Sequence, residues 1–365
     1  MHFLFAKCSQ LVYILITKTI KYVRECVMAS LKDISIQCGV SVATVSKALN
    51  NHTDISDETR ERVRKAAKEL GYSPNLSARA LKTNKTHGIG VLFVDKSSSG
   101  LTHDYFAAVL DSFKRTVEDS GYDITFINSS TKQPEHMTYL EHTRYHGFDG
   151  VCIACIDFKD PEVVELVQSD IPTVTIDHLF NDRVAIMSDN RTGMARLISY
   201  ILGKGHRKIA YIYGESSSTV TTGRLTSFYR VLDKNGITVP DEYVIEASYR
   251  NTEASYEATK KLLELKDRPT CILYPDDVAT LGGINAIREM GLRIPEDISV
   301  AGYDGIKTLM YLEPQLTTIV QATEEIGYRA ATKLIHLIEK PKTTVVEQII
   351  IPGELNEGKT VADIN

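Results

Sequence analysis

The apolar positions between residues 29 and 73 follow helical spacing and predict three short helices. Gly39 separates the first two helices and supplies the left-handed corner of a tight helix–turn–helix, because glycine has no Cβ. Ser41 and Ser56 are the expected N-caps of the second and third helices, and Gly71 follows the third. The residues predicted to form the shared core are Leu31, Ile34, Cys38, Val45, Ala48, Leu49, Val63, Ala66, Ala67 and Leu70. This segment is therefore predicted to be a small all-α helix-turn-helix domain.

From His87 onward, short apolar runs alternate with amphipathic segments, which is typical of β–α units. One series of strands and helices runs from Ile89 to Met187, and a second of similar length runs from Ile209 to Gly302. Two successive series predict an α/β body made of two doubly wound, parallel-sheet lobes. Ligands of such folds bind at the carboxyl ends of the strands, which for two lobes means the cleft between them.

Acidic residues follow the ends of three predicted strands: Asp177, Asp276 and Asp304. Carboxylates accept hydrogen bonds from adjacent hydroxyls, and the donor fork of Arg224 would orient ring oxygens. The aromatic residues expected to cover the apolar faces of a ligand are Tyr105, Phe106 and Tyr274. We expect Asp277 to cap the helix that follows it. The pattern therefore predicts a binding site for a polar small molecule.

Charge is distributed unevenly along the chain. Residues 29–87 contain ten Lys/Arg against six Asp/Glu, whereas residues 88–365 contain 28 against 40. A basic helical segment joined to an acidic body favours contact with nucleic acid through the helical segment alone.

The first 28 residues fit no functional pattern well. Their longest apolar run, residues 11–16, is too short to cross a bilayer, and their start is only weakly basic for a signal peptide. We interpret residues 1–28 as a mis-assigned N-terminal extension, with Met28 as the true start. Cys152 and Cys155 form a C-x-x-C sequence inside an apolar run that predicts a buried strand, where they would face opposite sides. Reduced cysteines and a cytoplasmic location are the expectation.

Several motifs occur in order along the chain: GVSVATVSKALN, ELGYSPN, SARALKT, KGHRKIAYIYG, YPDDVATLGG and GLRIPEDISVAGYDG. In these motifs the chain resembles the LacI/GalR family of bacterial transcription regulators. The resemblance implies a periplasmic-binding-protein-like body with one lobe from residues 88–189 and 322–343 and the other from residues 190–321 and 344–365. It also implies a hinge helix within the linker, residues 74–87.

The resemblance further implies a homodimer on a pseudo-palindromic operator, with helices 104–118 and 278–290 as candidates for the interface. Leu81 would insert into the central minor groove and kink the DNA. A tetramer would need leucine heptads near the C-terminus, and the sequence shows none there, so a dimer is expected. The residues predicted to contact DNA are Ser41, Val42, Ala43, Thr44, Ser46, Lys47, Asn50, Asn75, Ala78, Arg79 and Leu81.

Carried over by position, the effector-binding residues implied by the resemblance are Tyr105, Phe106, Asp177, Arg224, Asp276, Asp304 and Gln321. The implied function is a repressor of carbohydrate-utilisation genes that is controlled by a sugar. Asp276 stands where the family commonly has Asn, and this extra carboxylate disfavours an anionic sugar phosphate. A nucleobase effector remains open.

Two other classes compete with this interpretation. An enzyme is not expected, because the sequence shows no phosphate-binding glycine loop, no metal-ligand cluster and no activated nucleophile, and the acids alone do not make a glycosidase. No cofactor or metal is predicted. A periplasmic-type sugar receptor would share the two-lobed cleft, but it would need a signal peptide and would not need residues 29–87.

Overall fold

The chain divides into two compact units at Asn84 and Lys85. The computed structural model describes residues 29–72, 85–94, 100–127 and 137–365. The predictions made for residues 1–28 and for the hinge helix therefore lie outside the described residues, apart from Lys85, Thr86 and His87. No helix in the described part of the chain is both long enough and apolar enough to cross a membrane.

The first unit contains the three predicted helices, α1 (Leu31–Cys38), α2 (Val42–Leu49) and α3 (Asp57–Glu69). Gly39 ends α1 in the left-handed conformation, with φ of 64°, as its lack of a Cβ predicted. The caps expected at Ser41 and Ser56 are present, since each side chain accepts a backbone N–H three residues later. The fully buried centre of this unit consists of Ile34, Val45, Ala48 and Val63.

The first lobe of the second unit is built on a six-stranded sheet. Its strands are β1 (Gly88–Phe93), β2 (Asp123–Phe126), β3 (Gly150–Ala154), β4 (Thr173–Ile176), β5 (Val184–Ser188) and β11 (Gln348–Ile351). They lie in the order β11–β5–β4–β3–β1–β2, and all neighbours are parallel. Side chains of β3 alternate between two apolar clusters, Cys152 and Ala154 on one face and Val151 and Ile153 on the other. Both faces of the sheet are therefore buried, as expected for a parallel sheet.

Helices cover both faces of this sheet. They are α4 (Asp104–Asp119), α5 (Tyr139–His146), α6 (Pro161–Gln168) and α11 (Thr323–Glu339). On one face α4 packs against α11, and Gly327 makes this close approach possible, because a Cβ there would lie 2.3 Å from the Val109 carbonyl oxygen. On the other face lie α5 and α6.

The second lobe is built on a four-stranded parallel sheet in the order β7–β6–β8–β9. Its strands are β6 (Ile209–Tyr213), β7 (Val244–Glu246), β8 (Cys271–Leu273) and β9 (Ser299–Ala301). Its helices are α7 (Asn190–Gly203), α8 (Thr219–Lys234), α9 (Thr252–Glu264) and α10 (Asp277–Glu289). The first two helices pack on one face of the sheet and the last two on the other. The two doubly wound lobes predicted from the sequence are both present.

The chain passes between the lobes three times, after β5, after β10 (Thr318–Val320) and before β12 (Glu354–Asn356). Strands β10 and β12 pair antiparallel near the second lobe. One predicted boundary is wrong: residues 344–365 do not all belong to the second lobe, because β11 pairs with β5 at the edge of the first sheet. The apolar run Ile349–Ile351 supplies this edge strand, and Ile351 is buried there.

Candidate functional site

Helix α2 exposes the residues that the sequence analysis assigned to DNA contact. Ser41, Val42, Ala43, Lys47 and Asn50 are exposed, and the remaining two residues predicted on this helix, Thr44 and Ser46, are half-buried. The cap at the N-terminus of α2 is the Ser41 hydroxyl, which lies 3.1 Å from the Thr44 nitrogen. The exposed surface of α2 is thus held on a helix above a small apolar core. Such a surface fits the major groove of DNA.

Lys47 is paired in the free protein. Its ammonium group forms an ion pair with Asp54 at the surface. At the same end of α2, the Asn50 side chain donates to the Ser46 carbonyl oxygen at 2.7 Å. A phosphate or base that binds Lys47 must therefore compete with Asp54. The other four predicted DNA contacts, Asn75, Ala78, Arg79 and Leu81, lie outside the described residues.

In the second unit, the predicted effector residues come together where the two lobes meet. Asp177 follows β4 in the first lobe, whereas Asp304 follows β9 in the second. Both residues have positive φ values, 58° and 112°. A non-glycine residue tolerates such a conformation only where its surroundings enforce it, and such residues concentrate at functional sites.

Arg224 is buried at the centre of this cluster. Its Nε donates to the Asn190 side-chain oxygen at 2.7 Å and its Nη1 to the Pro275 carbonyl oxygen at 2.7 Å. Its guanidinium carbon, Cζ, lies 3.6 Å from the centre of the Tyr303 ring. These contacts fix the direction of the fork and leave Nη2 pointing towards Asp304, with 3.7 Å between Nη2 and Oδ1.

Asp304 is held from the other side by Gln321. The Gln321 amide nitrogen donates to Asp304 Oδ1 at 2.7 Å, and the two backbones are also joined by a hydrogen bond. Oε1 of Gln321 is buried and accepts no hydrogen bond from the described residues. Leaving such an atom unpaired costs about 1–3 kcal/mol, so a ligand that brings a donor is favoured here. Arg224, Asp304 and Gln321 thus form a polar triad with unused hydrogen-bonding capacity.

On the first-lobe side, Asp177 is bound to its own chain. Its Oδ2 accepts from the Tyr105 hydroxyl at 2.6 Å and its Oδ1 from the Ser188 nitrogen at 2.9 Å. Burial raises the pKa of Asp177, although both hydrogen bonds and Arg224 oppose the shift. Phe106 is half-buried and meets Tyr105 edge to face, with 4.9 Å between ring centres. Asp177 therefore lies next to two packed aromatic side chains, with Tyr105 in direct contact and Phe106 behind it.

Two expectations about the second lobe are wrong. Asp276, and not Asp277, caps α10: its Oδ1 accepts from the Ala279 nitrogen at 2.8 Å. Asp277 is buried and accepts from the Thr318 hydroxyl and the Ile306 nitrogen. Tyr274, expected to cover a ligand, is buried in the core instead.

A scan against protein-family models finds two matches. Residues 30–75 match the model described as bacterial regulatory proteins, lacI family, and residues 198–361 match a periplasmic binding protein-like domain. The HTH-type transcriptional repressor PurR of Pectobacterium atrosepticum is 33% identical over 341 residues, covering 92% of this chain and 98% of that protein. The chain belongs to the LacI family. The repressor of the same name from Escherichia coli O139:H28 is 31% identical over 342 residues, with the same coverage.

Solved LacI-family structures agree with this assignment. The lac repressor dimer bound to operator and the anti-inducer ONPF aligns with a TM-score of 0.78 at 26% identity, covering 92% of this chain and all of that one. A LacI-family regulator from Enterococcus faecium with bound ribose aligns with a TM-score of 0.66 at 25% identity over 76% of this chain and all of that one. The predicted family, the fold and the class, a transcription regulator rather than an enzyme, are confirmed.

Four residues that lie beside Arg224 or Asp276 were not assigned from the sequence. Asn190 and Tyr303 orient Arg224, as described above. Tyr249 donates to or accepts from the Thr221 hydroxyl at 2.8 Å, and the Arg250 nitrogen donates to Asp276 Oδ2 at 2.7 Å. Tyr249 and Arg250 follow β7, so the rule that ligands bind at strand ends could have found them.

The ionisation of Asp304 should make stability depend on pH. Burial raises the pKa of Asp304 to about 7, and Arg224 opposes the shift. Because the folded pKa lies above the ordinary value of 3.8, the folded chain binds this proton more tightly than the unfolded chain. The stabilising contribution is complete below pH 4 and is lost as pH rises to about 7, by at most about 1.4 kcal/mol per pH unit.

We therefore expect Asp304→Asn to remove part of the decline in unfolding free energy between pH 4 and 7. Urea denaturation of both proteins across this range measures the difference. Asp363→Asn is the control, since Asp363 is exposed and its pKa is lowered by hydrogen bonds from Asn365. Parallel curves for wild type and Asp304→Asn would contradict the assignment.

Proposed function

We propose that the protein is a transcriptional repressor that binds a pseudo-palindromic operator as a homodimer and is controlled by a small molecule bound between its two lobes. The exposed face of α2 supports DNA reading, and the relatives named above are repressors. The lac repressor aligned above is a dimer on its operator. Residues 75–82 would form the hinge helix on DNA, with Leu81 as the minor-groove wedge.

The observation that carries the effector proposal is the triad Arg224, Asp304 and Gln321. All three side chains are largely shielded from solvent, and two of them keep hydrogen-bonding capacity that the described chain does not use. A buried polar cluster of this kind at the meeting of two lobes is the arrangement expected of a small-molecule site. The ligand it fits is neutral overall and carries adjacent donors and acceptors.

A sugar is the first candidate for this ligand. Hydroxyl groups would donate to Asp304 and Gln321 Oε1 and accept from Arg224, while Tyr105 and Phe106 would border an apolar ring face. The regulator from Enterococcus faecium with bound ribose supports this class. On this proposal the protein represses carbohydrate-utilisation genes, which is the prediction made from the sequence.

A nucleobase is the second candidate, and the relatives at 31–33% identity named PurR favour it. The structure adds an argument, since Asp177 and Asp276 already accept two hydrogen bonds each from their own chain. Fewer carboxylate oxygens are then available to hydroxyls than three acids would suggest. A planar ring with one donor–acceptor edge needs only the triad.

Control of DNA binding follows from differential affinity. A ligand that contacts both lobes stabilises one arrangement of the lobes over another, and that arrangement favours or disfavours the hinge helices of the dimer. Coupling of about 1–3 kcal/mol between the two sites, or about 5- to 150-fold in operator affinity, is ordinary for such proteins.

The test compares sugars, sugar phosphates and nucleobases on the full chain. Thermal unfolding detects binding, because a ligand at a hundred times its Kd adds about 2.7 kcal/mol. Fluorescence anisotropy on an operator obtained by in vitro selection then measures coupling. We expect one neutral class to raise the melting temperature and to change operator affinity at least fivefold. A shift by every class or by none would contradict the effector proposal, and failure to select any operator would contradict DNA binding.

A further inference from the structure

Arg250 joins the two lobes directly. It lies after β7 in the second lobe, and its Nη1 donates to Asp104 Oδ2 at 2.9 Å, at the first turn of α4 in the first lobe. Its Nη2 donates to the Thr102 carbonyl oxygen at 3.3 Å. The Arg250 side chain is 13% exposed, whereas Asp104 is 45% exposed. This is therefore an ion pair whose cation is mostly shielded from water, and shielding strengthens it.

The second lobe holds the backbone of Arg250 in place. Its backbone adopts a positive φ of 57°, and its nitrogen donates to Asp276 Oδ2 at 2.7 Å. The next residue, Asn251, caps α9. Strain of this kind persists only where the surroundings enforce it. The Arg250 side chain therefore reaches the first lobe from a rigid corner that shares a carboxylate, Asp276, with the cleft.

We propose that the Arg250–Asp104 ion pair is a positioning contact that holds the lobes together over the effector and so sets effector affinity. The inference rests on the proposed function. The ion pair forms only when the lobes lie close, and a ligand that spans the cleft favours the same arrangement. The ion pair and the ligand both favour the arrangement in which the lobes lie close. Loss of the ion pair therefore weakens the binding of a ligand that Arg250 never contacts.

A double-mutant cycle tests this on the full chain with the ligand found in the screen above. We expect Arg250→Gln and Asp104→Asn each to weaken effector binding about twofold to fivefold by calorimetry, in line with ion pairs near the surface. The double variant should lose no more than either single variant. Arg250→Lys should recover part of the affinity, and the wild-type Kd should rise with salt more steeply than that of Arg250→Gln.

Arg329→Ala is the matched control, because Arg329 forms an exposed ion pair with Glu325 one helical turn away. It should leave the Kd unchanged. Loss with Arg250→Gln but not with Asp104→Asn would mean that Arg250 touches the ligand itself, and it would overturn the positioning role. Additive losses would overturn it too.

Hydrogen exchange without ligand separates this inference from the proposed function. Arg250→Gln should expose the amides of residues 104–107 and 249–252 to faster exchange than in wild type and in Arg329→Ala. If no ligand binds and exchange still increases, the contact between lobes stands and the effector proposal fails. If exchange is unchanged, the inference fails whatever binds.

Discussion

Replacing Arg224 with alanine is expected to abolish the response to effector while leaving operator affinity of the ligand-free protein unchanged. Arg224 offers the ligand a charged donor held by Asn190 and Pro275. Hydrogen bonds to charged groups contribute about 1.5–3 kcal/mol each, so losing the contact from Nη2 costs about tenfold to a hundredfold in affinity. The helix-turn-helix domain belongs to a separate unit, so its affinity for the operator should not change with this substitution.

Titration calorimetry and operator anisotropy measure the two halves of this prediction. Arg224→Lys keeps the charge without the planar fork, and we expect intermediate binding from it. Arg230→Ala is the control, because Arg230 lies exposed on the same helix. Removing Arg224 also leaves Asp304 without its nearest cation, so the melting temperature of Arg224→Ala should fall. An Arg224→Lys protein that binds effector as tightly as wild type would contradict the role of the fork.

The position of the cleft could be predicted because strand ends leave a clear signal in sequence. An apolar run followed by an acid, as at Ile176–Asp177, marks both the end of a parallel strand and the edge where ligands bind. The partners of those acids could not be predicted. Tyr105 meets Asp177 across 72 residues of chain and Gln321 meets Asp304 across 17, and no periodicity records such pairs.

The exchange of roles between Asp276 and Asp277 shows a second limit. Both residues precede an amphipathic helix, and either one satisfies the sequence pattern of an N-cap. The choice depends on where the chain leaves β8, because a one-residue shift turns each side chain to a different surface. Here both side chains are buried, but Asp277 is directed to Thr318 and Asp276 takes the capping position. Side-chain direction at a strand–helix corner is a property of the folded chain.

The edge strand β11 was assigned to the wrong lobe for a related reason. Its residues come after α11 and just before the chain returns to the second lobe, and four residues carry too little pattern to name a partner. Strand β11 pairs with β5 before the last crossing, with Gln348 opposite Ala185. Short strands next to crossings are where a linear assignment of lobes fails.

Replacing Val45 with asparagine should unfold the helix-turn-helix domain and spare the effector response. Val45 is fully buried against Ile34, Ala48 and Val63. Truncating a buried aliphatic residue and burying an unpaired amide together cost about 2–5 kcal/mol. A domain of this size has about that much stability in total, so the variant should lose helical signal and specific operator binding at 25 °C.

Ile36→Asn is the matched control, because it also replaces an aliphatic residue with asparagine. Ile36 lies on α1 with 71% of its surface exposed, so this amide is not buried. Circular dichroism, operator anisotropy and effector-induced thermal shift should be measured on both variants. We expect Ile36→Asn to keep its helices and Val45→Asn to lose operator binding while its thermal shift with effector matches that of wild type. Loss of that shift in Val45→Asn would mean that the two units do not fold independently, and the effector site would then require the DNA-binding domain.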